Sequence, residues 1–102
     1  MYQQIELSQP LRLNQGFTYT TTSGAAETAV TLNRMNFANS IAIVVELADA
    51  YIEFDRTATT SSMLMPANSA YTEDNISIDS TISILRVGAA NARIRGILWG
   101  RS

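Results

Sequence analysis

The stretch from Ile41 to Pro66, IAIVVELADAYIEFDRTATTSSMLMP, constrains the fold more than any other part of the chain. An apolar run, a tight polar turn, a second apolar run and a hydroxyl-rich loop follow in succession, which reads as a buried β-hairpin leading into a crossover. Ile41, Ile43, Val45 and Leu47 fall on one face of the first strand, and Ala42, Val44 and Glu46 on the other. With the turn at Ala48-Asp49-Ala50-Tyr51, pairing Leu47 with Ile52 and Val45 with Phe54 keeps the large apolar groups together. That register sets Glu46 opposite Glu53. Like charges so placed destabilise a sheet, so either a cation lies over them or the register differs. Arg93 and Arg95, from this chain or a neighbouring subunit, are the candidate partners.

The remaining segments carry the same short-strand pattern. Phe17 to Thr22 alternates aromatic and threonine positions, and Thr28 to Asn33 reads as a strand from its β-branched residues. Asn33, Asn36 and Asn39 mark a loop. Asp55 to Ser62 reads as an exposed loop, and Asn68, just after Pro66, suits the left-handed conformation of a turn. Asn75 to Ile78 and Thr81 to Ile84 alternate cleanly, the second continuing to Val87. A last strand, Arg93 to Trp99, points its arginines outward and Ile94 inward. Pro10 demotes the N-terminal run to an edge strand or extended arm. The expectation is one all-β domain: a small antiparallel β-sandwich (jelly-roll-like) or barrel over residues 15–102, with residues 1–14 as an extended N-terminal segment.

Composition narrows the function classes. A chain of 102 residues has room for one core. Charged residues make up 16%, against about 25% in an average domain, so much of the surface must be Ser, Thr, Asn, Gln and Ala. Neighbours cover such a surface at little desolvation cost, which favours repeated subunit contact. A net charge of −2 gives no general attraction to nucleic acid or an anionic membrane. No apolar run is long enough for a membrane span, and MYQQIELSQP lacks the features of a signal peptide. The reading is a soluble protein that is not exported by the usual route.

Cysteine, histidine and lysine are all absent, which removes disulfides, thiolate metal sites and the usual bases for a serine nucleophile. Glu46, Glu53 and Asp55 form the only plausible acid–base cluster, for which a solvated or subunit-facing acidic patch is the stronger reading. Glu73, Asp74, Asn75 and Asp79 offer oxygen ligands without the glycine turn of a calcium loop. Tyr2, Tyr19, Tyr51, Tyr71 and Trp99 would make a sugar-stacking platform if they shared a surface, although packing is the commoner use of such residues. No catalytic residue, cofactor or metal is expected.

The succession Tyr51-Ile52-Glu53-Phe54-Asp55, Ala58-Thr59-Thr60 and Met63-Leu64-Met65-Pro66-Ala67, then Ile82-Ser83-Ile84-Leu85-Arg86 and a final strand ending near Trp99-Gly100, resembles small accessory structural proteins of tailed-phage virions. Asn68 stands where such proteins usually carry glycine. The resemblance covers residues 41–100 and implies a non-enzymatic, homo-oligomeric cement or decoration protein, a dimer or trimer. It further implies that the protein is made in the host cytoplasm and bound to the major capsid protein on the virion surface, without direct nucleic-acid or membrane contact. Arg12, Glu46, Glu53, Arg93, Arg95, Tyr51 and Tyr71 are the expected interface residues. The alternative is a carbohydrate-binding or adhesion module of a head fibre or tail tip.

Overall fold

The computed structural model describes residues 12–101. These residues form eight strands and no helix: β1 (Leu13–Thr20), β2 (Glu27–Thr31), β3 (Phe37–Glu46), β4 (Ala50–Phe54), β5 (Met63–Met65), β6 (Ser69–Glu73), β7 (Thr81–Arg86) and β8 (Arg93–Arg101). One sheet has the order β1-β8-β3-β6 and the other β2-β7-β4-β5. Every pairing is antiparallel, and β1 with β8, β2 with β7, β3 with β6 and β4 with β5 pair the two halves of the chain in reverse order. The chain is thus one long hairpin folded over on itself, with β8 against β3 and β7 against β4 completing the two sheets. This is the jelly-roll sandwich, one of the two architectures expected.

The core is the set of inward positions between the sheets. Ile41, Ile43 and Val45 of β3, Ile52 of β4, Ile82 and Ile84 of β7, and Ile94 and Leu98 of β8 are all essentially removed from water. β-branched residues dominate because they pack well on a pleated surface and lose little rotamer freedom there. Ser83 faces the outer side of its sheet yet is buried, because the segment after β4 folds over it: the Ala58 N–H donates to Ser83 Oγ at 2.9 Å, and Ala58 is buried. The run Asp55 to Ser62 is mostly exposed, as expected, while Ala58 within it covers part of the β2-β7-β4-β5 sheet.

The expected hairpin of Ile41 to Phe54 does not form. β3 and β4 belong to different sheets, so Glu46 lies opposite Arg93 and Glu53 opposite Ser83. The connection explains why. Ala48 N–H donates to Glu46 C=O at 2.9 Å across Leu47, whose φ is 76°, which is the strained form of a γ-turn. A two-residue hairpin loop needs a Gly- or Asn-rich turn that this segment lacks, and the γ-turn instead sends the chain across to the other sheet. Leu47 is consequently 60% exposed and contributes nothing to the core.

Two further expectations change, and one strand was not expected. Asn75 to Ile78 makes only one isolated bridge, Ile78 with Ala38, although Ile78 is fully buried. Ser69–Glu73 forms the edge strand β6. β3 begins at Phe37 and absorbs Asn39 into a bulge between Ala38 and Ser40. The expected arm of residues 1–14 lies outside the described residues up to Leu11, while Leu13 and Asn14 already belong to β1. Asn68 adopts φ 67° as expected, and Asp55 joins it at φ 63°.

Candidate interaction surface

The outer face of the β1-β8-β3-β6 sheet is built from residues that alternate with the core positions. Thr18, Arg95, Val44 and Ala70 lie opposite one another across the four strands, and Gly16, Ile97, Ala42 and Thr72 form the next row. Small side chains alternating with Val44 and Ile97 leave a shallow open trough of about 500 Å³, in which Arg95 is the charged lining group. Val44 is 36% exposed at its centre.

Paired arginines lie toward both ends of the trough. At one end Arg93 Nε donates to Glu46 Oε1 at 2.9 Å, and Arg95 gives Nε to the same oxygen at 2.8 Å and Nη2 to Oε2 at 3.3 Å. Hydrogen bonding from Arg95, and then from Arg93, holds the Glu46 carboxyl below its ordinary range. The cations called for by Glu46 are therefore supplied within the chain. At the other end the Arg12 guanidinium lies 5.8 Å from the Trp99 ring centroid and donates through Nη2 to Ser40 Oγ at 2.8 Å. Ser40 Oγ in turn donates to Asp74 Oδ1 at 3.2 Å.

Arg12, Glu46, Arg93 and Arg95 are thus brought to one face, and the other expected interface residues are not. Glu53 sits on the opposite sheet and accepts from Ser62 Oγ at 2.8 Å. Tyr51 shares that sheet, opposite Leu64 and Leu85. Tyr71 is turned inward against Phe54, with ring centroids 6.4 Å apart. Sequence reasoning missed Thr18, Ala42, Ala70 and Thr72. The available signal was their small size at alternate positions of strands whose other positions are large and apolar.

The carboxylate cluster is dispersed as well. Asp55 accepts from the backbone N–H groups of Asp79, Ser80 and Thr81, tying the β4 end to the β7 start. Burial pushes its carboxyl up, but these backbone bonds outweigh burial and the net displacement is downward. Among the described residues no three acidic side chains gather as a metal site would require, and no helix is long and apolar enough to cross a membrane. Glu73 instead accepts from the Asn75 N–H at 3.1 Å. A scan against protein-family models gives no match for this chain, and a search of curated proteins gives none either.

Proposed function

We propose that this protein is a non-enzymatic structural component of a tailed-phage virion, a cement or decoration protein that binds the major capsid shell. The observation that carries the reading is the outer face of the β1-β8-β3-β6 sheet. It is a low-charge trough of small and hydroxyl-bearing residues, flanked by arginines that already have partners within the chain. Covering such a face releases water from apolar surface without stripping unpaired charges of solvent. The guanidinium groups at its ends are fixed in advance, so little side-chain entropy is lost on contact. The jelly roll is compatible with capsid proteins and with lectins alike, so the fold alone does not choose between them.

The glycan-binding alternative has less support. Tyr51 lies on the outside of one sheet, Trp99 on the outside of the other under Arg12, and Tyr71 inside, so these three share no stacking platform. The test is co-sedimentation with purified empty capsids, using Val44→Lys to place a charge in the trough. Wild-type protein is expected to bind saturably and the variant at least tenfold more weakly, as burial of an unpaired ammonium demands. Equal occupancy by both would refute the assignment of this face. Failure of both to bind, together with hits on a glycan array, would favour the alternative.

A further inference from the structure

A sandwich of two open sheets has four edge strands, and in this protein they are unequally protected. β5 is three residues long and runs into Pro66. β2 has five residues, a register break between Thr28 and Val30, and Glu27 at its start. β6 has five residues and ends in Glu73, with Asp74 following. Shortness, bulges, proline and charge are the devices that stop an edge from pairing with another chain. β1, by contrast, has eight residues, LNQGFTYT, with unbroken register against β8, no charged side chain and no proline.

The hydrogen-bond phase of β1 is fixed by its end. Thr21 N–H donates to Ala92 C=O at 2.8 Å, so alternate residues back from Thr21 face β8. Asn14, Gly16, Thr18 and Thr20 therefore direct their backbone N–H and C=O groups to the side away from β8, and among the described residues no strand lies beyond them. We infer that β1 is a self-association edge, pairing antiparallel with β1 of a second copy about a two-fold axis. With Gly16 opposite Thr18 of the partner subunit, all four open positions pair, for about eight backbone hydrogen bonds. The facing side chains on the outer surface are small, and the partly buried Phe17 residues meet near the axis on the inner side.

Electrostatics selects the same edge. Each copy carries a net charge of −2, and pairing through β6 or β2 would bring acidic groups toward their own symmetry mates, whereas β1 brings none. The product is a continuous eight-stranded sheet whose outer face joins the two troughs side by side. The inference deepens the proposed function by naming one partner as this chain itself, and rests on that reading only for the use to which a dimer is put.

The test uses the isolated full-length chain, so its failure is distinguishable from failure of capsid binding. Sedimentation equilibrium should show a dimer. Thr18→Pro, which removes an edge N–H, and Thr18→Lys, which adds a like charge near the axis, should each weaken the dimer at least tenfold while circular dichroism stays unchanged. Native-state hydrogen exchange should show the Asn14, Gly16, Thr18 and Thr20 amides protected only at concentrations where the dimer is populated. A chain that stays monomeric throughout, or a dimer that both variants leave intact, overturns the inference. So does protection of these amides in a monomer that is lost on deleting residues 1–11, which would assign the edge to the chain's own N-terminus.

Discussion

Replacing Glu27 with glutamine tests the local electrostatics of the β1–β2 connection. The Glu27 carboxylate accepts from Tyr19 Oη at 2.5 Å, from Thr22 Oγ1 at 2.9 Å, and from the backbone N–H groups of Thr22 and Ser23 at 3.0 and 3.2 Å. The Tyr19 hydroxyl contributes most, and together these donors lower the carboxyl from 4.5 to about 2, while the same bond raises the Tyr19 pKa. That displacement sets a ceiling of roughly 3 kcal/mol on the contribution of the charge. Because the group is partly open to solvent, screening reduces the expected value to about 1 kcal/mol.

The sign follows from the depressed folded-state pKa. The contribution is fully present above the unfolded value near 4.5 and is lost as pH falls toward 2. Urea unfolding at pH 7 should therefore find Glu27→Gln less stable than wild type by about 1 kcal/mol, a fall in melting temperature of roughly 4–8 °C for a domain of this size. The two proteins should converge near pH 2. Asp55 and Glu46 also titrate low, but they do so in both proteins and cancel in the difference. A gap of the same size at pH 7 and pH 2 would refute the reasoning, because it would place the effect in packing and not in the charge.

Other substitutions probe the backbone. Gly96→Ala should destabilise by about 3 kcal/mol in the same assay, because a Cβ there would strike the Ala42 carbonyl oxygen and lie 2.6 Å from Ile43 Cγ2 in the middle of the sheet. Leu47→Gly should stabilise by roughly 0.5–1 kcal/mol, because it relieves a leucine held at φ 76° whose side chain is mostly exposed. Ile84→Ala, at a fully buried position of a central strand, should cost about 3 kcal/mol and leave a cavity between the sheets.

The sequence made the fold class legible because period-two alternation is strong wherever one face is buried. β7 and β8 read almost residue for residue, and the outward arginines of β8 were found with Ile94 inside. The topology was less legible because alternation says which face is buried but not which strand lies alongside. The γ-turn centred on Leu47 carries no sequence mark that separates it from a hairpin turn over Ala48 to Tyr51, and only the three-dimensional path shows that β3 and β4 part company. β6 was missed because an edge strand with one inward aromatic, Tyr71, carries little pattern, and Asn75 to Ile78 was over-read because a buried loop isoleucine mimics a strand position.

The candidate surface was half legible. Charge reasoning found the right partners for Glu46 from a register that was wrong, since unpaired carboxylates on a sheet attract arginines whatever strand brings them. The same reasoning could not place Glu53, which a nearby serine satisfies. The trough itself was invisible, because alanine and threonine at alternate positions become a surface feature only when four strands align them.

The proposed capsid role is tested most directly by the copy number of this chain in purified virions, measured against the major capsid protein by quantitative mass spectrometry. A ratio near one to one is predicted, as a protein that covers repeated sites across a symmetric shell requires. A handful of copies per particle, or none, would contradict a cement role and move the protein to a vertex, to the tail, or out of the virion.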